Sequence, residues 1–233
     1  MTMDSLQLAL SQVPVFQSAG EEELRAIAAV ATRQKLEAGM VLFCAGDTGD
    51  ALYVVESGNI KISRITAEGK ERILRILGQG EVIGEMALFD EEPRSADAVA
   101  MGDTLLIRLP KAEFLKILET VPQLAIRLLA VLAARLRMMN EKLEDLTFLD
   151  ARRRIARLLV DLAGGWYEQH EDPDAVTLKL KLTHEEMAAL VGTSRETVSR
   201  VLGEFQETGT IYVAERVVHI RKWNELKKLV ETG

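Results

Sequence analysis

The sequence predicts an α+β chain: a β-roll of the jelly-roll kind first, a long helix next, and a winged helix-turn-helix last. Three observations carry this. Short apolar runs broken by glycines fill residues 34–110. An apolar residue recurs every three or four positions over 125–146, with no glycine or proline between. Two short helical patterns joined through a glycine, then a short hairpin, occupy 182–221.

At 233 residues there is room for one large domain or two ordinary ones. A hydrophobic content of 48% with 28% charged residues fits a globular chain with a packed core. The single cysteine, Cys44, leaves no disulfide framework, Cys-based zinc site or iron–sulfur cluster, and with histidines only at 170, 184 and 219 no metal-ligand cluster can be drawn. The opening MTMDSLQLAL has an acid and no basic stretch, unlike a secretory signal. The apolar run at 128–134 is far short of a membrane span. A cytoplasmic chain without a membrane partner is expected. The formal charge of −7 is uneven: residues 1–150 hold 16 Lys+Arg against 23 Asp+Glu, whereas 151–233 hold 13 of each, clustered at Arg152–Arg154 and Lys227–Lys228. A neutral half with clustered base can bind phosphate locally, although solvated helix faces would carry the same clusters.

Taken in order, Gly20 and the acidic run Glu21–Glu23 open a helix over 20–31. Glycines at 39, 46, 49, 58, 69, 78, 80, 84 and 102 then punctuate short strands, such as LYVVESGNIKIS (52–63) around its Ser-Gly turn and ERILRILGQG (71–80). Many short strands at regular turn spacing point to a roll or barrel. From Pro122 the apolar positions are Ala125, Leu129, Leu132, Leu136, Met139, Leu143 and Leu146. Their alternating spacing of four and three is a heptad seam, which predicts a long helix paired in parallel with a second copy rather than laid on its own roll. Asp150 is a good N-cap, so a new helix starts there and Phe148, Leu149 and Asp150 form a hinge. That helix stops at Gly164–Gly165, a polar segment follows, and VTLKLKL (176–182) reads as a strand. The expected division is a roll over 1–120, a dimerisation helix over 121–147, the hinge at 148–150 and a winged helix-turn-helix over 151–233.

Within the last part, Thr183 and Glu186 have capping-box spacing, Met187, Ala188, Leu190 and Val191 are apolar, and Gly192 ends the helix. Thr193 or Ser194 caps a second helix whose apolar face is Val198, Val201, Leu202 and Phe205. Gly209 ends it, and IYV (211–213) with VVHIR (217–221) makes the wing. In such a unit the N-terminal residues of the second helix meet base edges. Here they are Arg195, Glu196, Ser199 and Arg200, with Thr183, Ser194 and Thr197 beside them. Arginine can donate twice to guanine and glutamate can accept from cytosine. The competing view is a solvated face on which Glu196 closes a capping box onto Thr193.

Two stretches resemble the CRP/FNR (catabolite activator) family of transcription regulators, over about residues 12–225. SRETVSR (194–200) is similar to the recognition helix of its cyclic-AMP-dependent branch, and GEMALFDEEPRSA (84–96) to its phosphate-binding cassette. The resemblance implies that Arg94 faces the phosphate of a 3′,5′-cyclic nucleotide, that Ser95 adds a hydroxyl, and that Glu85 accepts from the ribose 2′-OH. Gly84, Met86 and Ala96 would complete the cradle. A planar guanidinium suits a phosphate with two free oxygens. The alternative is a surface loop with Arg94 paired to Glu91 or Glu92. Arg135 matches a position near Glu85. Met139 and Asn140 stand where cyclic-AMP-responsive members carry a threonine–serine pair that reads adenine, which leaves the base open. No metal, haem or iron–sulfur cluster is expected, the roll being taken to lack a His or Cys haem ligand.

The function so implied is a homodimeric regulator of double-stranded DNA, controlled by a cyclic nucleotide such as cyclic AMP (cAMP), reading a near-palindromic TGTGA-type site, with RNA polymerase as a further partner. The rival readings are a ligand-independent regulator of the same fold and a cyclic-nucleotide module of a kinase or channel. An enzyme is disfavoured, since neither a nucleophile–base pair nor GxxxxGK[ST] is present.

Overall fold

A computed structural model describes residues 4–165, 167–169, 174–178 and 180–231. The chain forms two compact units, Met1–Arg137 and Met138–Gly233.

The first unit opens with α1 (Ser5–Ser11), a 3₁₀ turn (Pro14–Phe16) and α2 (Glu21–Val30). Gly20 donates its N–H to Glu23 Oε2 at 2.6 Å, which closes the α2 end that the acidic run marks. Strands β1 (Thr32–Leu36), β2 (Val41–Phe43), β3 (Ala51–Ser57), β4 (Ile60–Ile65), β5 (Glu71–Leu77) and β6 (Val82–Ile83) follow. Then come α3 (Met86–Phe89), β7 (Asp97–Ala100), β8 (Thr104–Pro110), α4 (Lys111–Thr120) and α5 (Pro122–Phe148). The strands make two antiparallel four-stranded sheets, ordered β1-β8-β3-β6 and β2-β7-β4-β5. The Ser-Gly turn between β3 and β4 therefore carries the chain from one sheet to the other and does not close a hairpin.

Strand alternation decides where each side chain goes. Ala51, Tyr53 and Val55 of β3 pack between the sheets with Ile60, Leu77, Ile83 and Leu106. Leu52 and Val54 point the other way, into a layer of Leu10, Phe16, Ile27 and Phe114 from the helices. Phe16 and Phe114 meet edge to face at 6.2 Å. Leu124 and Leu128, in the first turns of α5, are fully buried in this same layer, so the compact unit extends past residue 120 to Arg137.

The second unit contains the end of α5, α6 (Ala151–Gly165), β9 (Tyr167–Gln169), β10 (Val176–Leu178), α7 (His184–Val191), α8 (Arg195–Glu207), β11 (Ile211–Ala214), β12 (Val217–Ile220) and α9 (Trp223–Glu231). Asp150 Oδ1 accepts the Arg153 N–H at 2.8 Å and so caps α6. Thr183 and Glu186 form the capping box of α7, whose other end is closed by Gly192 at φ +77°, a conformation natural to glycine. Ile155, Leu159, Met187, Val191, Val198, Val201, Leu202 and Phe205 bury the helices against one another. The sheet order is β11-β12-β10-β9, and β11 and β12 turn through Glu215 and Arg216, both at positive φ, as a tight antiparallel hairpin demands. The strand expected over 176–182 ends at Leu178; residue 179 lies outside the described residues, as do 166 and 170–173 of the polar segment. A short strand, β9, lies within the rest of that segment.

Candidate functional site

Arg94 is 5% exposed, on the loop between α3 and β7. Its Nη2 donates to the Ala51 carbonyl at 2.7 Å and its Nη1 to the Gly84 carbonyl at 3.1 Å. Its Nε is buried with no hydrogen-bond partner among the described residues. The guanidinium carbon lies 4.3 Å from the Phe43 ring centroid and 5.9 Å from that of Tyr53. Gly84, at φ +81°, makes the packing possible: a Cβ there would fall 2.0 Å from Arg94 Nη1. Among the described residues one carboxylate comes within 4.0 Å, that of Asp50, and Asp50 is held at 2.6 Å by Arg108. Asp90, Glu91 and Glu92 are exposed and none of them pairs with Arg94, so the loop-pairing alternative is not realised among the described residues. Burial lowers the guanidinium pKa from its ordinary value, with Tyr53, Asp50 and Glu85 opposing the shift. A buried arginine stays charged, and with its hydrogen bonds on neutral carbonyls that charge is only partly compensated, by Asp50 at 4.0 Å and by Glu85. Such a site favours an anion.

Glu85 is 4% exposed and accepts a short hydrogen bond from Arg135 Nη1, while Arg135 Nη2 donates to the Val82 carbonyl at 2.5 Å. The structure thus brings Glu85, Arg94 and Arg135 to one end of the roll. Arg75 and Glu81, which the sequence reading passed over, belong to the same network. Arg75 Nη2 meets Glu81 Oε1 at 2.6 Å, and Arg75 is close enough to feel both Arg135 and Glu85. Burial is the main cause that lowers the Arg75 pKa. The available signal was parity, since Arg75 alternates in phase with the core residue Leu77. Ala96 is buried, whereas Met86 and Ser95 are exposed. Met139 and Asn140 are exposed on α5. The roll does hold one cysteine, contrary to the expectation of no possible haem ligand: Cys44, exposed just after β2.

On α8, Ser194 is the N-cap: its Oγ accepts the Thr197 N–H at 3.2 Å and lies 3.0 Å from the Thr197 hydroxyl. Glu196 is therefore the second helical residue and makes no capping box with Thr193; its carboxyl is held below the usual range, first by its own backbone N–H and then by the Ser194 hydroxyl. Arg195, Glu196, Ser199 and Arg200 are all exposed. Arg200 is drawn along the helix onto Glu204 by a short hydrogen bond, and Glu204 also lies 3.7 Å from Arg152. The sequence reading missed Glu204, although an i,i+4 Arg–Glu pair is a legible signal. The Thr183 hydroxyl donates to Glu186 Oε2 at 2.9 Å within its cap.

Along α5, Leu129, Leu136, Met139, Leu143 and Leu146 are 54–62% exposed, while Ala125 and Leu132 are half-buried. Phe148 is 78% exposed. The Leu149 carbonyl accepts from Arg154 Nη1 at 2.6 Å. Among the described residues no single helix is long and apolar enough to cross a membrane.

Comparison with known proteins covers both halves of the chain. Residues 33–121 match the cyclic nucleotide-binding domain family, and residues 153–229 match the Crp-like helix-turn-helix domain family. The chain is 39% identical over 209 residues to the cyclic AMP receptor protein of Thermus thermophilus, covering 90% of this chain and 93% of that one. It is 33% identical over 211 residues to the CRP-like cAMP-activated global transcriptional regulator of Mycobacterium tuberculosis, covering 91% and 93%. Among solved structures it resembles the c-di-GMP responsive global regulator CLP of Xanthomonas campestris, with a TM-score of 0.74, 27% identity and coverage of 86% of this chain and 99% of that one. With a cyclic nucleotide-binding roll at one end and a Crp-like helix-turn-helix at the other, the chain belongs to the CRP/FNR family of DNA-binding transcription regulators.

Proposed function

We propose that the protein is a homodimer whose grip on DNA is set by a cyclic nucleotide, cAMP in the first instance, bound in the roll. The observation that carries this is Arg94, buried beside two aromatic rings with its hydrogens on carbonyls and no carboxylate in close contact. The cyclic phosphate would lie against Arg94 and Ser95, and the ribose 2′-OH against Glu85, in the cradle of Gly84, Met86 and Ala96. Arg135 would pass the occupancy of that cradle to α5, and Met139 and Asn140 would meet the base.

The exposed stripe from Leu129 to Leu146 supports pairing of two α5 helices, residues 121–147 serving as the dimerisation segment and 148–150 as the hinge. The recognition helices would then enter successive major grooves of a near-palindromic TGTGA-type site, Arg195, Glu196 and Arg200 reading bases and Thr183, Ser194 and Thr197 lying beside the backbone. A ligand drives such a change only through differential affinity for two states, typically ~1–3 kcal/mol. With DNA as its target the protein acts in the cytoplasm, and RNA polymerase is the expected further partner.

A second reading, a regulator answering to another effector or to none, is favoured by Met139 and Asn140, which replace the adenine-reading pair. Titration of the purified protein with cAMP, cyclic GMP and c-di-GMP, with and without a TGTGA-type fragment, tests both. Heat on adding cAMP and tighter DNA binding are expected; an unchanged DNA affinity with every nucleotide would overturn ligand control. Leu143→Asp should convert the sedimenting dimer to monomer at micromolar concentration, and a dimer that survives it would place the interface elsewhere.

A further inference from the structure

One side chain outside the residues assigned above reaches the base-facing side of α8 from another element. His184 is the first residue of α7, and its Nδ1 lies 2.7 Å from the Ser199 hydroxyl on α8. Ser199 is exposed, one turn beyond Arg195. We propose that His184 is a specificity-determining positioning residue: by holding Ser199 Oγ it fixes both the direction and the hydrogen-bond polarity that Ser199 offers to a base. This rests on the reading that α8 lies in the major groove.

A serine hydroxyl has one proton to donate and lone pairs to accept with. On an exposed helix face it otherwise samples several rotamers or turns its proton back to a carbonyl of the preceding turn. Held by the lone pair of Nδ1, Ser199 gives its proton to His184 and shows only lone pairs to the groove. Its partner must then be an exocyclic amine, cytosine N4 or adenine N6. With a proton on Nδ1 the roles reverse, and the hydroxyl would favour guanine O6 or N7, or thymine O4. In the neutral ring the tautomer is set by the hydrogen bond that the other nitrogen makes. The first helix of a helix-turn-helix crosses the phosphate backbone. A phosphate oxygen that takes Nε2–H from His184 would hold Nδ1 as the acceptor, and Ser199 as a reader of amines.

The pair has no evident duty in folding. Helices α7 and α8 are held together by Met187, Val191, Val198 and Val201, all buried, and α7 is capped by Thr183 and Glu186. The His184–Ser199 bond lies outside this core, between a half-buried histidine and an exposed serine.

The test is competition binding of the full-length protein to half-sites carrying each base pair at each position, at fixed salt. Ser199→Ala should flatten the preference at one position by about 5-fold, the lower part of the range for a base contact. His184→Ala should flatten that same position by about 3-fold or more, on top of a uniform loss of about 2-fold on every sequence, random DNA included, from the Nε2–phosphate contact. The double variant should go no further than Ser199→Ala alone, as expected of residues acting through one contact. His184→Asn, whose Oδ1 stands in for Nδ1 as an acceptor, should restore the preference. A uniform loss on every sequence in His184→Ala with the base preference unchanged would overturn the proposal and leave His184 a phosphate contact only. A Ser199→Ala variant with unaltered preference, while Arg195→Ala changes it, would overturn the proposal but keep the groove reading; if neither changes it, the groove reading falls too.

Discussion

The two arginine-bearing regions of this molecule hold their guanidinium groups in opposite ways. Arg94 is sealed in the roll, 5% exposed, its hydrogens on the carbonyls of Ala51 and Gly84. Arg195 and Arg200 stand exposed on α8, and among the described residues Arg200 is tied to Glu204. A charge in a low-dielectric cradle interacts strongly and is little screened, so it suits one small anion of fixed shape. Charges on a rigid, wet helix suit a long polyanion, where the backbone term is salt-dependent and base edges supply the choice. The Arg94 cradle is preformed by backbone carbonyls; the α8 face is preformed by helix packing, with its arginines in solvent.

The largest effect that would break this contrast is at Arg94. Arg94→Leu should cost about 100-fold or more in cyclic-nucleotide affinity by calorimetry, as for truncation of a buried charge partner, while nucleotide-free DNA affinity stays put. An undiminished titration would mean that the anion site lies elsewhere. Gly84→Ala sharpens the point about backbone: its Cβ would collide with Arg94 Nη1, and the positive φ alone costs about 1–2 kcal/mol. Nucleotide binding should drop with Arg94 still present, and an unaltered affinity would show that the guanidinium needs no such close approach.

On the DNA side, Arg195→Ala should cost ~1–3 kcal/mol on the preferred site and much less on random DNA. Equal losses on both would assign Arg195 to phosphate. The smallest effect is at Glu204. Removing its charge in Glu204→Gln frees Arg200 and Arg152, and an exposed pair is worth about 0.2–1 kcal/mol. DNA affinity should rise by about 2-fold or a little more in a gel shift at low salt, with the gain fading as salt screens it. A fall would show that Glu204 positions Arg200 for its base.

Legibility followed the same divide. The helix-turn-helix reads almost residue by residue, because its signals act within a few positions. Thr183 meets Glu186, Asp150 meets Arg153, and Gly192 closes the turn that follows Ala188. The long helix was legible as a heptad, but its division was not: Leu124 and Leu128 go into the roll core and Ala125 packs against it, while Leu129, Leu136, Met139, Leu143 and Leu146 stay out. Helices α4 and α9 went unread because distant groups hold their starts. Lys111 N–H donates to the Asp50 carbonyl at 2.8 Å, and Asn224 N–H donates to Asp174 Oδ1 at 2.8 Å. In the roll the positions of β3, β4 and β5 were legible; the pairings, including the crossing at the β3–β4 turn, were not.

What the chain determines by itself, then, is whatever is decided over a turn or two: caps, periods, and the two motifs whose residues are neighbours in sequence. Folding in three dimensions decided the environment of Arg94, since the Ala51 carbonyl and the Phe43 ring that receive it come from 43 and 51 positions away. It also decided which apolar stripe of α5 is covered, and that His184 meets Ser199. Those outcomes depend on which strands pair and which helix faces meet, and the free energy that selects them is summed over the whole core.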